Sequence, residues 1–286
     1  MNEASRWRLD IARRLAEFFA PNPKVEAAVV GGSVARGIAD ADSDLDSLYF
    51  CSELPTQEEL EAIAAKTPGK NWLFNPGKGG IGVECRIGRA RVEVAHVLTQ
   101  RMEDQLADVV ERFDTDPAKH KSVGGMLDAV PLYGEARVRR WQEKAAAYPD
   151  GLALAMVNRH LHFLPLWILR DYTRARQSPL YQYELLCKAQ SDILGVLCGI
   201  NRLYHPYEFK WLDYYVGRMP VAPADLAERL KEVFALEPHE AMTRMGGLIE
   251  EVFDLVEEHL PAAKLAEARQ VYALPEQRCE DAPDLF

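Results

Sequence analysis

The stretch VEAAVVGGSVARGIADADSDLDSLYF, residues 25–50, decides how this chain folds. It opens with a short apolar run, residues 25–30, that stops at Gly31 and Gly32. It closes with residues 44–50, in which polar and apolar positions partly alternate. Short runs of this kind, bounded by glycine or small polar residues, are typical of strands. The stretch therefore predicts two strands, with a turn and a short helix after the first.

The flanking segments add helices and further strands. Apolar residues recur every three or four positions over residues 5–19, which predicts an amphipathic helix, and residues 55–66 predict another. Residues 81–87 and 91–98 flank a Gly-Arg-Ala tripeptide and predict an antiparallel hairpin. All the strand candidates lie before about residue 98.

Beyond residue 98 the apolar period becomes helical. Helices are predicted near residues 99–114, 134–147, 151–177, 181–203, 222–235 and 240–260. The predicted fold class is therefore α+β, with a mixed-sheet domain over residues 1–98 and an all-α domain over residues 99–286.

Composition excludes several classes of function. The chain has 286 residues, 48% of them hydrophobic, and a net charge of −10. An apolar share of this size supports a folded core. The acidic balance argues against general binding of nucleic acid or anionic membranes, because such binding needs Lys and Arg, and it favours a neutral or cationic small substrate. The five cysteines form no CxxC pair, which predicts buried thiols in a reducing compartment. The sequence has no signal-like or membrane-spanning apolar run, which predicts a cytoplasmic protein.

Two aspartates in the opening stretch suggest a metal site. Asp44 and Asp46 are two positions apart, and residues at this spacing in a strand face the same side about 7 Å apart. Carboxylate pairs of this kind suit Mg²⁺. Alone, the two aspartates would equally fit a solvated strand edge or turn caps.

The Gly-Gly-Ser segment suggests a phosphate site beside them. A strand that ends at Gly31 and Gly32 and leads into a helix can direct backbone N–H groups and the Ser33 hydroxyl at an anion. Arg36, one turn further on, either reaches phosphate or faces solvent. A tight strand-to-helix turn is the simpler explanation of the glycines when they are taken by themselves.

Glu93 is the candidate for a third carboxylate. It lies in RVEVAHV, residues 91–97, with Val92 and Val94 facing the opposite side. Pairing of this strand with residues 44–50 would bring Glu93 toward the two aspartates, where it would complete a two-metal site or act as general base. Glu84 on the preceding strand is the alternative to Glu93.

GGSVARG followed by SDLD and a later strand carboxylate resembles the nucleotidyltransferase superfamily that includes DNA polymerase beta. The pattern is most similar to the aminoglycoside and lincosamide nucleotidyltransferases. Residues 91–97 resemble the strand that carries the catalytic base in aminoglycoside adenylyltransferases. Residues 209–220, which contain Lys210, are similar to a helical-domain segment whose lysine reaches the nucleotide phosphates.

The resemblance implies transfer of a nucleoside monophosphate, AMP in the leading hypothesis, from ATP or another NTP to a substrate hydroxyl. Asp44 and Asp46 would hold Mg²⁺ and Glu93 would take the proton. The β- and γ-phosphates would lie against Gly32 and Ser33. The favoured acceptor is a small, aminoglycoside-like molecule, and the alternatives are a protein or tRNA acceptor, or a nucleotide-binding regulator without turnover.

Three further features have competing explanations. Tyr183 and Glu184 begin a helical segment and would contact a substrate ring and amine, or else Glu184 pairs with Lys188 along the helix. Lys210, between two aromatic residues, either binds phosphate or covers apolar neighbours with its stem. The loop NPGKGG, residues 75–80, lacks the Lys-Ser/Thr ending of a P-loop and is predicted to be a mobile loop near the site.

Overall fold

The structure is a computed structural model that describes residues 1–77 and 79–276. The chain divides into two compact units, Met1–Tyr148 and Pro149–Phe286, called here the first and the second unit. The boundary expected at residue 98 thus lies inside the first unit. Residues 99–148 belong there because they include a further strand of the sheet and helices that pack on it.

The first unit alternates helices and strands. In chain order its regular elements are α1 (Glu3–Phe19), β1 (Val25–Val30), α2 (Gly32–Arg36), β2 (Leu45–Cys51), α3 (Gln57–Ala64), β3 (Lys70–Gly77), β4 (Gly80–Ile87), β5 (Ala90–Leu98), α4 (Thr99–Leu106), a π-helical turn (Ala107–Glu111), α5 (Pro117–Asp128), β6 (Val130–Tyr133) and α6 (Glu135–Ala146).

Within the described residues the strands form a six-stranded sheet in the order β3-β4-β5-β2-β1-β6. The β2 and β5 strands pair in parallel, and the other neighbours pair antiparallel. The mixed sheet followed by helices confirms the α+β class. The expectation that all strands precede residue 98 was wrong, because β6 returns along β1 at one edge. The β3 strand also escaped prediction, since its short apolar run Trp72–Phe74 does not alternate with polar residues and the strand is mostly exposed.

One face of the sheet carries the core of the first unit. The α1 helix, capped by the Asn2 side chain on the Ser5 amide, buries a stripe that includes Leu15 and Phe19 against this face. The alternate residues of β2 and β5 that point the same way, among them Leu45 and Val94, are fully buried. Because side chains alternate along a strand, their neighbours in sequence face the opposite side.

The opposite face is partly covered by residues that follow β5. Phe50 of β2 meets Trp141 of α6 edge to face, with ring centroids 4.8 Å apart. The α5 helix is fixed at its start by Asp116, whose carboxylate accepts from the amides of Ala118 and Lys119. An open cleft is left between this face and α4 and α5.

The second unit is helical in the described residues. Its elements are α7 (Asp150–His160), a π-helical turn (Ile168–Tyr172), α8 (Thr173–Arg176), α9 (Pro179–Ile200), α10 (Leu212–Val216), α11 (Leu226–Val233), α12 (Pro238–His259) and α13 (Leu265–Tyr272). The single helix predicted over residues 151–177 was wrong. It ends at His160, and Pro165 follows at a position whose ring is incompatible with a continuous helix. The long α9 and α12 helices supply much of the core.

Three of the five cysteines are buried, as the sequence predicted, and one is exposed. Cys51, Cys85 and Cys198 are buried free thiols, whereas Cys187 is exposed on α9, and Cys279 lies outside the described residues. No helix in the described part of the chain combines the length and apolarity that crossing a membrane requires.

Candidate active site

A cleft of about 650 Å³ opens on the second face of the sheet, within the first unit. Its floor is formed by β1, β2, β4 and β5, and its roof by residues of α4 and α5. The β3–β4 hairpin closes one side, so the segment at residues 75–80 does lie beside the site, as a hairpin rather than a free loop. Lys78 of that segment lies outside the described residues. Clefts of this volume suit small ligands.

Three carboxylates form a row across this face of the sheet, and two of them, Asp46 and Glu93, line the cleft. In the parallel pairing of β2 with β5, Asp46 is the direct partner of Glu93. In the antiparallel pairing of β5 with β4, Glu93 is in turn the partner of Glu84. Direct partners on adjacent strands have side chains about 5 Å apart on the same face. The topology thus brings Asp46 and Glu93 together although they are 47 positions apart in sequence, the difference between positions 93 and 46.

The strand-to-helix turn at the end of β1 adjoins the same row. The Gly31 amide donates to the Asp46 carbonyl at 3.0 Å, which continues the pairing of β1 with β2. Gly32 has φ of +62°, a conformation that residues with a β-carbon rarely adopt. A β-carbon built on Gly32 would lie 2.4 Å from Oδ2 of Asp46. Glycine at this position therefore allows the turn to approach the Asp46 carboxylate.

The charges around Glu93 favour proton uptake. Partial desolvation is the largest cause of a raised pKa of the Glu93 carboxyl, followed by the nearby charges of Glu84 and Asp44. Lys121 on α5 opposes this shift and lowers the pKa. Burial and like charges both disfavour an ionised carboxylate. Glu93 is thus a stronger proton acceptor than an isolated glutamate.

The other predicted residues of the first unit take different positions. Asp44 precedes β2, half-exposed, with Oδ2 3.8 Å from Nη2 of Arg91. Ser33 is buried beneath the turn. Arg36 lines the cleft and is mostly buried. Its Nε donates to Asp128 at 2.9 Å, which ties α2 to α5. Asp46, Glu93, Gly32 and Arg36 therefore share one cleft, and Asp44 is close enough to Glu93 to affect its pKa.

Two basic residues of the cleft escaped sequence analysis. Lys121 lies on the roof in α5, a helix that the sequence did not predict because its apolar pattern is weak. Arg101 of α4 lies against the β3–β4 hairpin, where a β-carbon on Gly79 would be 2.6 Å from its Nη1. Basic side chains opposite glycine-rich backbone are a signal for phosphate binding, but only the fold shows that these two face the site.

The remaining candidates belong to the second unit. Tyr183 and Glu184 are exposed on α9. Lys188, the alternative partner of Glu184, donates instead to Asp192 at 2.7 Å. Lys210 is exposed in a turn just before α10, next to Phe209, which packs on the core of that unit. The substrate roles of Tyr183 and Glu184 and the phosphate role of Lys210 therefore stay predictions.

The donor set fits a magnesium ion held jointly with substrate. Across residues 1–77 and 79–276, no three His, Cys, Asp or Glu side chains are grouped as ligands of one metal ion. Mg²⁺ at nucleotide sites is usually held by one or two carboxylates together with phosphates and water, so a full protein cage is not required. Asp46 and Glu93 provide two hard oxygen donors on one floor, and their mutual repulsion would be relieved by a cation.

Comparison with known proteins finds one family model and several solved structures similar to this chain. Residues 126–212 match a family described as a domain of unknown function, DUF4037. No curated protein matches the chain. A nucleotidyltransferase-like protein from Exiguobacterium sibiricum is 12% identical, with a TM-score of 0.36 over 87% of this chain and 74% of its own.

Two poly(A) polymerase structures show a similar level of likeness. The GLD-2/RNP-8 complex is 9% identical, with a TM-score of 0.31 over 66% of this chain and 78% of its own. The noncanonical poly(A) polymerase complex GLD-2–GLD-3 is 13% identical, with a TM-score of 0.31 over 89% and 70%.

Proposed function

We propose that this protein is a Mg²⁺-dependent nucleotidyltransferase that moves a nucleoside monophosphate, AMP by preference, from an NTP to a hydroxyl of a small molecule. The observation that carries the proposal is the juxtaposition of Asp46 and Glu93 on adjacent strands, with the Gly31–Gly32 turn against Asp46, at the floor of one cleft. The first unit thus combines a carboxylate pair and a glycine turn, as nucleotidyl transfer requires.

The glycine turn and the basic residues provide the phosphate end of the site. The β- and γ-phosphates would lie against the backbone of Gly32 and of the buried Ser33, where N–H groups at the start of α2 face an anion. Lys121 on the roof supplies positive charge opposite the floor. Arg36, held by Asp128, borders the same region. Lys210 remains a proposed second phosphate ligand from the second unit.

The carboxylates divide the chemistry between them. Asp46, with Asp44 and Glu93, would hold Mg²⁺, which would neutralise charge on the phosphates. Glu93 takes the proton of the acceptor hydroxyl, a role that its raised pKa supports. The acceptor oxygen forms a bond to the α-phosphorus while the bond from the α-phosphorus to the bridging oxygen of pyrophosphate breaks. Pyrophosphate leaves with that electron pair.

The acceptor is proposed to be small and aminoglycoside-like. A cleft of about 650 Å³ suits small ligands, and Glu84, which accepts from the lining residue Asn75, suits an ammonium group. Tyr183 and Glu184 on α9 are proposed as additional acceptor contacts. A net charge of −10 disfavours a nucleic-acid acceptor.

The test measures pyrophosphate release and acceptor mass for each NTP with Mg²⁺ and a panel of aminoglycosides, lincosamides, tRNA and cell lysate. Release that requires a small acceptor, with one nucleotide added to it, supports the proposal. Labelling of tRNA or protein instead identifies a macromolecular acceptor, and nucleotide binding without any turnover identifies a regulator. Asp46→Asn is expected to abolish turnover with an unchanged circular dichroism spectrum, and retained activity would contradict the metal assignment.

A further inference from the structure

We infer that the acceptor lies on the β4 side of Glu93, over the bare backbone at Gly82, and that the missing side chain at Gly82 sets which acceptors fit. The inference rests on the proposed function and deepens it. It assigns a place in the cleft and a residue that determines specificity.

The direction of attack fixes the side from which the acceptor arrives. In phosphoryl transfer the attacking and leaving oxygens lie roughly in line on opposite sides of the phosphorus. The proposed phosphate site is the Gly31–Gly32 turn, which borders β2. The leaving pyrophosphate would therefore occupy the β1 side of the carboxylate row. The acceptor must then approach from beyond Glu93, and the strands on that side are β4 and β3.

The floor on that side is rich in glycine and carries few side chains. Gly82 lies two residues before Glu84 on β4 and on the same face of the sheet. Its partners are Ala95 on β5 and Asn75 on β3. These three residues line the cleft. A ring that lies flat here would contact main chain and the Asn75 side chain, and its hydroxyl would be next to Glu93.

Packing does not explain why residue 82 is glycine. A β-carbon on Gly80 would lie 2.8 Å from the His96 carbonyl oxygen, so that position has no room for one. A β-carbon on Gly82 would meet only the Asn75 carbonyl and β-carbon, at 3.8 and 3.9 Å, which are ordinary contacts. The fold therefore tolerates a side chain at residue 82, and that side chain would enter the cleft. The absence of a side chain at residue 82 therefore leaves space for a ligand over β4.

The polar groups at the edge of this floor define the chemistry of the acceptor. The Asn75 side-chain amide donates to Glu84 Oε1 at 3.1 Å, which holds that exposed carboxylate at the rim. A carboxylate and an amide oxygen beside flat backbone accept hydrogen bonds from ammonium and hydroxyl groups. The acceptor class is thus a ring-shaped polyhydroxylated amine.

The test uses neamine, a two-ring aminopolyol, titrated by calorimetry into full-length protein saturated with Mg²⁺ and α,β-methylene-ATP, which is not cleaved. Gly82→Leu is expected to weaken neamine binding about tenfold or more, because the added side chain overlaps the ring. The affinity for the ATP analogue is expected to stay within about twofold of wild type, a difference of less than 1 kcal/mol. Gly247→Leu, on an exposed helical position with nothing within 4 Å of its β-carbon, is the matched control and should bind neamine like wild type.

Each outcome decides the inference. Equal neamine affinity of the wild type and the folded Gly82→Leu variant overturns it, and so does the absence of neamine binding to nucleotide-loaded wild type. Pyrophosphate release by wild type with neamine, at unchanged neamine affinity in Gly82→Leu, overturns the acceptor assignment and leaves nucleotidyl transfer standing. No pyrophosphate release with any acceptor overturns the transfer reaction and the inference together.

Discussion

Gly32 lies so close to the carboxylate of Asp46 that a β-carbon on residue 32 would be 2.4 Å from Oδ2. The contact joins the turn after β1 to the strand that carries the candidate metal ligand. The Asp46 carboxylate can take this position only because residue 32 has no β-carbon.

Gly32→Ala is therefore expected to lower both stability and activity. A residue with a β-carbon at φ of +62° costs about 1–2 kcal/mol, and the methyl group would displace Asp46. Chemical denaturation and pyrophosphate release measure the two effects. The matched control for stability is Gly31→Ala, whose β-carbon would meet only Leu48 Cδ1 at 3.6 Å, in an extended conformation that alanine adopts freely. Equal stability of the two variants would contradict the assigned strain.

Glu93→Gln is expected to abolish transfer and yet stabilise the metal-free protein. The pKa of Glu93 is higher in the folded protein than its ordinary value of 4.5, so folding takes up a proton and stability falls as pH rises through the raised pKa. Removing a like charge from the pair with Glu84 gains about 0.5 kcal/mol at neutral pH. The gain should vanish well below pH 4.5, where Glu93 is protonated in both the folded and the unfolded protein. Thermal melts at several pH values in EDTA measure it, and a gain that does not depend on pH would refute this origin.

Lys121→Gln is expected to weaken binding of Mg²⁺ and α,β-methylene-ATP about tenfold, the effect of losing one charged hydrogen bond to phosphate. The matched control is Lys119→Gln on the same helix. Lys119 donates to Asp108 and Asp114, both at 2.6 Å, so its loss should lower the melting temperature and leave nucleotide affinity unchanged. Equal nucleotide affinity in the two variants would remove Lys121 from the phosphate site.

His96 is expected to make the protein sensitive to mild acid. Burial against Tyr49 lowers the pKa of His96 from 6.5 to about 4. Below pH 6.5 the unfolded chain binds a proton that the folded protein does not, so stability is lost as pH falls toward 4. The loss from this residue totals about 3 kcal/mol at a cost of 1.36 kcal/mol per pKa unit. In denaturation series from pH 7 to pH 4, His96→Phe should lack this component, and parallel curves for the two proteins would contradict it.

Local sequence patterns predicted much of the first unit. β1, β2, the β4–β5 hairpin, α1 and α3 were placed to within one or two residues, since each has a strong apolar period or clear end signals. The break after His160 and the strands β3 and β6 were missed. The break depends on a proline, β6 depends on its pairing with the distant strand β1, and β3 depends on its pairing with the neighbouring strand β4. None of the three is marked by a periodicity of its own.

The sequence by itself determined the residue types of the candidate site: a glycine turn, an aspartate on β2 with a second aspartate just before it, and a glutamate on a later strand. Only the tertiary structure decided which of these residues meet. The parallel pairing of β2 with β5 sets Glu93 beside Asp46, and α4 and α5 bring Arg101 and Lys121 over them. Residue types and local periods are readable from a chain, whereas strand register and the packing of distant helices are fixed only by the balance of contacts across the whole fold.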